Sequence, residues 1–121
     1  MESPTVVLVV EDEPLIRMET VDMVEAVGYV AIEAANADEA IAILESRNDI
    51  QLVLTDIDMP GSIDGLKLAH AVRKKWPPIA IVVVSGKTVV DSADLPAEAK
   101  FFSKPYDRAV VAGALGQLLG A

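Results

Sequence analysis

The sequence predicts an α/β fold, a parallel sheet of five strands with helices on both faces, and three observations predict it. Short apolar runs rich in Val and Ile show no alternation, as strands covered on both faces require. Strand-like and helix-like segments alternate five times without a repeat, linker or low-complexity tract, and such alternation implies right-handed crossovers within one sheet. The chain is 52% hydrophobic but only 4% aromatic, so its core must be built from Val, Ile, Leu and Ala, which pack parallel strands under helices. With 121 residues the expectation is one domain, 1–121.

The first strand is the run 6–10, bounded by Pro4 before and by Glu11, Asp12 and Glu13 after. Pro14 suits the first turn of a helix, where its missing N–H loses no partner; Ile16, Thr20, Val24 and Val27 then recur at helical spacing until Gly28 ends the pattern. A second, shorter strand covers 29–32, and Asn36 with Glu39 three residues on resembles a capping box for a helix through Leu44. The third strand, 51–56, ends on Asp56, with Pro60 and Gly61 close behind. Asp64 is the expected cap of a third helix carrying Leu66, Ala69 and Val72, stopped near Trp76 by Pro77 and Pro78. The fourth strand, 79–84, ends at Ser85 and Gly86. A helix starting within 87–90 would be short or irregular, because Asp91, Ser92, Asp94 and Pro96 oppose it. Phe101 and Phe102 mark a brief fifth strand, and 107–119 is a weak final helix interrupted by Gly113 and Gly116.

A formal net charge of −9 argues against binding nucleic acid, whose affinity comes largely from counterions released by Lys and Arg; it suits a basic partner or a cation. There is no cysteine, hence no disulfide framework or thiolate metal site. The first residues lack a basic segment and a long apolar run, so neither a signal peptide nor a membrane span is expected, and a cytoplasmic protein is.

The chemistry is concentrated at strand ends: Glu11 and Asp12 after the first, Asp56 after the third, Ser85 after the fourth, Lys104 after the fifth. In open α/β sheets the ligand crevice lies beyond the carboxyl ends of the strands. Acids gathered there repel, and a divalent cation among them is one remedy; an all-oxygen set with room for water suits Mg²⁺. Lys104 adds an ammonium and Ser85 a hydroxyl donor. Together these are the parts that hold a phosphoryl group, with Asp56 as a nucleophile able to carry it as an acyl phosphate. Taken singly, each has an ordinary reading: Asp56 and Ser85 as turn or cap residues, Lys104 as a surface lysine, Glu11, Asp12 and Glu13 as a solvated helix start. Only Glu13 is left in that class. His70 reads as a surface or boundary residue, Met18, Met23 and Trp76 as core or boundary packing, and Tyr106 as a lid on the core or a partner contact.

The joint set, Glu11 and Asp12, Asp56 with Met59 and Pro60, Ser85 with Gly86, and Lys104 with Pro105, resembles the receiver domain of two-component response regulators over essentially the whole chain. The resemblance implies a flavodoxin-like, doubly wound sheet of order 2-1-3-4-5, carried over from the family rather than deduced from the residues. Glu11 and Asp12 would then face Asp56 across neighbouring strands. It further implies that Asp56 accepts phosphate from a histidine kinase or histidine phosphotransfer protein. Mg²⁺ would be held by Asp12 and Asp56, by Glu11 through water, and by the backbone carbonyl of Asp58. Ser85 and Lys104 would contact the phosphoryl oxygens, and the bond to Pro105 would be cis. In the family's switch the hydroxyl at Ser85 moves toward the phosphoryl group and the aromatic at Phe101 follows, remodelling a face read by a downstream partner, here unknown. Phe101 has no hydroxyl to exchange, which leaves at most a burial-driven rotamer shift.

Two departures from the family pattern stand out. The stretch from Ser85 to Phe101 is short and contains Pro96, so the fourth helix is expected to be stunted; and Asp64 and Gly65 fall late in the loop after Asp56. Asp58 and Lys87 are the side chains expected to bear on phosphate lifetime. The chain stops right after its last helix, so a stand-alone receiver is expected, with a receiver excised from a larger regulator or hybrid kinase as the close variant. Two other readings stay open: a phosphatase of the haloacid dehalogenase type, because Asp56 and Asp58 have its nucleophile and acid spacing, and a pseudo-receiver that is never phosphorylated.

Overall fold

The structure, a computed structural model, describes residues 4–58, 65–86 and 92–119. Its five strands, β1 (Val6–Val10), β2 (Val30–Ala34), β3 (Ile50–Asp56), β4 (Ala80–Ser85) and β5 (Lys100–Ser103), form one sheet in the order β2-β1-β3-β4-β5. Every pairing is parallel. Among the described residues four α-helices connect and close it: α1 (Pro14–Ala26), α2 (Ala37–Ser46), α3 (Gly65–Lys75) and α4 (Arg108–Leu119).

The side-chain alternation of the strands divides the core in two. Leu8, Val10, Val53, Ile81 and Val83 point to one face, where Ala37, Ala40, Leu44, Leu68, Ala69 and Val72 of α2 and α3 cover them. Val7, Val9, Leu52, Leu54 and Val82 point to the other, under Met23 and Val24 of α1 and Val111 and Leu115 of α4. β1 is buried at all five residues, which is why it shows an unbroken apolar run. Burying one such Val or Leu contributes roughly 1.5–3 kcal/mol, so the three central strands carry most of the stabilisation. The edge strands β2 and β5 are only partly buried and carry Glu33 and Lys100 outward, charges that discourage further strand pairing.

Local signals behave as their chemistry requires. Pro14 opens α1 behind Glu13, whose carboxylate accepts from the Leu15 amide, and Gly28 follows the helix end at φ 96°. Asn36 caps α2 by accepting from the Glu39 amide at 2.8 Å, while Glu39 reaches back to the Ala35 amide at 3.0 Å. The expected stripe on α1 is only half right: Thr20 and Val24 are buried, but Ile16, Val27 and Met18 are exposed, and Met18 is therefore not a core residue. The helix lies against β2 and its sheet face through Met23 and Val24, a narrower contact than the apolar spacing implied.

Between β4 and β5 the described residues contain a 3₁₀ turn, Ser92–Asp94, and no α-helix, in keeping with the stunted fourth helix expected from Pro96. Two side chains of α3 tie this segment down. His70 Nε2 donates to the Asp94 carbonyl at 2.7 Å, and Arg73 Nε donates to the Ala97 carbonyl at 2.9 Å. His70 is thus an exposed structural tether. The turn at 59–61, the expected Asp64 cap, Lys87 and the helix start at 87–90 lie outside the described residues.

Gly65 opens α3 hard against the end of β3. A Cβ built there would sit 2.0 Å from the Asp56 carbonyl oxygen and 2.6 Å from the Ile57 Cα, both backbone atoms that have no flexible end to yield. Gly65→Ala is therefore expected to lower unfolding stability by about 3 kcal/mol, read as a fall in urea midpoint; an unchanged midpoint would mean that α3 does not abut β3 as described.

Candidate functional site

Strand register brings the polar residues together. Val10 pairs with Thr55, so Glu11 and Asp56 emerge side by side from β1 and β3. Asp56 pairs with Val84, which places Ser85 next on β4, and Ser85 pairs with Ser103, after which the chain delivers Lys104. The Lys104 amide donates to the Ser85 carbonyl at 2.8 Å, and the Lys104–Pro105 bond is cis. The five candidates Glu11, Asp12, Asp56, Ser85 and Lys104 thus share one rim, and Glu11, Asp12, Asp56 and Lys104 line a cleft of about 400 Å³ there, with Gly86 beside the buried Ser85.

Lys104 organises the charges. Its Nζ donates to Asp56 Oδ2 at 2.5 Å and to Glu11 Oε1 at 2.9 Å, and both carboxylates are almost wholly buried. The second oxygen of each acid has its own partner: Asp56 Oδ1 accepts from the Asp58 amide at 2.7 Å, and Glu11 Oε2 from the Glu13 amide at 3.2 Å. Burial pushes the Glu11 carboxyl up to about 7, against the opposing pull of the Lys104 ammonium and with the acids Asp12 and Asp56 adding to the rise. Burial acts to lower the Lys104 pKa, but its bonds to Asp56 and Glu11 outweigh that and hold it raised, so the ammonium is firmly charged.

Asp12 is exposed, yet one carboxylate oxygen from each of Glu11, Asp12 and Asp56 lies within 4.8 Å of the others. This donor set is all oxygen, anionic and open to solvent on one side, which fits Mg²⁺ better than a softer metal. Asp58 belongs to the same rim, but not only through its backbone. Its Oδ2 accepts from Ser85 Oγ at 2.8 Å and from the Gly86 amide at 3.0 Å, so the Ser85 hydroxyl is bonded to Asp58 and not to Asp56.

Phe101 is half-buried on β5 opposite Val83 and packs on the core face covered by α2 and α3. Tyr106 packs on the opposite face, its hydroxyl 3.4 Å from Thr20 Oγ1, which makes it a lid on the core. Trp76 is boundary packing at the end of α3. One contributor escaped the sequence reading. Arg17 donates from Nη1 to the Glu11 carbonyl at 2.9 Å and from Nε to Glu33 at 3.1 Å, fixing the backbone from which Glu11 projects. The signal available was a basic residue in the first turn of the helix that follows an acidic strand end.

The family described as response regulator receiver domain matches residues 7–115. The sensor kinase CckA of Brucella abortus (strain 2308) is 37% identical over 117 residues, 93% of this chain; the chain spans only 12% of that protein's length. The receiver protein from Sinorhizobium medicae WSM419 superposes with a TM-score of 0.91 at 25% identity, covering 98% of this chain and 97% of that one. The response regulator TrrA from Thermotoga maritima, described in complex with Mg²⁺–BeF, superposes with a TM-score of 0.82 at 29% identity, covering 95% and 99%. Among the described residues no helix is long and apolar enough to cross a membrane.

The bridge from Lys104 to both buried acids sets a stability test. Removing the ammonium leaves two buried carboxylates facing each other, so Lys104→Met is expected to lower the urea stability of the metal-free protein by about 2 kcal/mol, less than for a fully enclosed pair because Lys104 is partly solvated. Millimolar Mg²⁺ is expected to restore a larger share in Lys104→Met than it adds to the wild type. Equal Mg²⁺ effects in the two proteins would show that the acids do not share one field.

Proposed function

The chain belongs to the response regulator receiver domain family, and from that premise we propose that it is a phosphoacceptor switch in which Asp56 takes a phosphoryl group from the phosphohistidine of a histidine kinase or a histidine phosphotransfer protein. The observation that carries the reading is the Lys104 ammonium held between Asp56 and Glu11, with Asp12 beside them. A sensor kinase among the relatives and a Mg²⁺–BeF complex among the similar structures lend it support.

On this reading an Asp56 carboxylate oxygen attacks phosphorus while the P–N bond to the donor imidazole breaks; the bonding pair leaves with the imidazole, which takes up a proton. The transfer needs little covalent work from the protein, so its residues act by position and charge. Lys104 carries fixed positive charge to the oxygen that Asp56 shares with it and then to the phosphoryl oxygens. The Asp58 amide holds the other Asp56 oxygen and thereby orients the carboxylate. Glu11, Asp12, Asp56 and the Asp58 backbone carbonyl would hold Mg²⁺, which when bound supplies positive charge against the acids and the incoming phosphoryl oxygens. Ser85 would next donate to a phosphoryl oxygen, and Phe101 would follow by a change of rotamer, altering the face of β5 and α4 offered to a downstream partner. The reading places the whole stretch 1–121 in one receiver working in the cytoplasm, a switch and not a classical enzyme.

Incubation with acetyl phosphate and Mg²⁺ is expected to add one phosphoryl group to the intact mass of the wild type and none to Asp56→Asn, and p-nitrophenyl phosphate is expected to see no sustained turnover. Phosphate gain that persists in Asp56→Asn would move the acceptor elsewhere, and many turnovers per chain would favour the phosphatase reading.

A further inference from the structure

One carboxylate oxygen, Asp58 Oδ2, receives two donors from the end of β4: the Ser85 hydroxyl at 2.8 Å and the Gly86 amide at 3.0 Å. Two donors converging on one anionic oxygen is the arrangement a phosphoryl oxygen would need at this rim. The same residue donates its amide to Asp56 Oδ1 at 2.7 Å, so Asp58 grips the acceptor with its main chain and the hydroxyl with its side chain. Resting on the phosphoacceptor reading, we propose that the Asp58 carboxylate is a built-in stand-in for the phosphoryl group, a latch that holds Ser85 and Gly86 until phosphorylated Asp56 competes for them.

Burial explains why the exchange is a competition. Ser85 is 2% exposed, so a hydroxyl leaving Asp58 has little water to turn to, and an anionic phosphoryl oxygen is a strong replacement. Asp58 is only partly buried, so water can reach its carboxylate. One anionic acceptor thus replaces another, and the bonds lost to Asp58 are subtracted from those gained by the phosphoryl group. Asp58 is accordingly a positioning residue: it sets how far the equilibrium lies toward the unswitched state without itself joining the transfer. Its negative charge would also repel a phosphoryl group directly, and the test must separate that repulsion from the latch.

Beryllofluoride with Mg²⁺ serves as the phosphoryl mimic, and calorimetric titration reads its affinity. Asp58→Asn and Asp58→Ala are expected to bind it about tenfold more tightly than the wild type. In a Ser85→Ala background the same substitutions are expected to gain only about twofold, because the competed hydroxyl is gone. Equal gains in both backgrounds would reduce Asp58 to a source of repulsion and overturn the latch. A second readout needs no phosphoryl mimic: in ¹H–¹⁵N spectra of the otherwise unchanged fold, Asp58→Ala is expected to move the Gly86 amide proton upfield and to speed its exchange with solvent, and an unmoved Gly86 amide overturns the latch on its own. Failure of every variant, wild type included, to bind beryllofluoride would instead overturn the phosphoacceptor reading and the competition with it, whatever the Gly86 amide does.

Discussion

Glu11, Asp12 and Asp56 crowd their carboxylates together, and among the described residues the Lys104 ammonium stands between Glu11 and Asp56. With one oxygen of each within 4.8 Å of the others, two like charges repel by about 3 kcal/mol or more even at an effective dielectric of about 20. The sheet offers no escape, since β1 and β3 are hydrogen-bonded neighbours whose register delivers Glu11 and Asp56 together. β5 lies at the far side of β4, and the residue after it, Lys104, turns inward to both acids. The pairing of Ser85 with Ser103, the backbone bond from Lys104 to Ser85 and the cis bond to Pro105 are the local geometry of that turn.

The same crowding supplies the chemistry. An acid whose charge is expensive to bury is an acid that gains from a cation or from a change of state, and Glu11, held up near 7, records that cost. Around Asp56, both oxygens already have donors, one from Lys104 and one from the Asp58 amide. The carboxylate is thus oriented before anything arrives. Ser85 and Gly86, by contrast, are engaged by a side chain that belongs to the loop after β3, which links the two loops across the rim. The Asp56 carboxylate and the Ser85 hydroxyl thus both have partners on the rim, one set from Lys104 and the main chain, the other from the Asp58 side chain.

Away from the rim, the segment between β4 and β5 is held by α3 through His70 and Arg73. These bonds go to main-chain carbonyls, so they position backbone irrespective of the side chains carried there. Arg73 also donates to the Pro77 and Ile79 carbonyls, which ties the end of its own helix and the start of β4 to the same guanidinium. A chain that lacks a full helix at this crossover, among its described residues, replaces helix packing with side-chain tethers. On the other edge, Arg17 performs a like service for the Glu11 backbone.

Much of this was readable from residues alone, for definite reasons. Strands buried on both faces have no alternative to continuous apolar runs, so β1, β3 and β4 were visible, and Pro14, Gly28 and the Asn36–Glu39 pair marked helix ends because their bonding is local. The candidate acids, Ser85 and Lys104 were named because strand ends are where an α/β sheet exposes polar groups. Other features depend on contacts between distant segments, which no local pattern encodes. Nothing in the spacing of α1 told that Met18 faces water while Met23 is buried, since the choice is made by where β2 and the sheet lie. Strand order came from family resemblance, and only the folded chain decided that Gly65 must lack a side chain against Asp56, that Lys104 bridges two acids, and that the Ser85 hydroxyl is held by Asp58. The elements and their chemical endowment are written locally along the chain, because they follow from local propensity and burial period. The tertiary structure alone decided partners, because a hydrogen bond or a steric limit belongs to pairs of residues brought together by the register of the sheet.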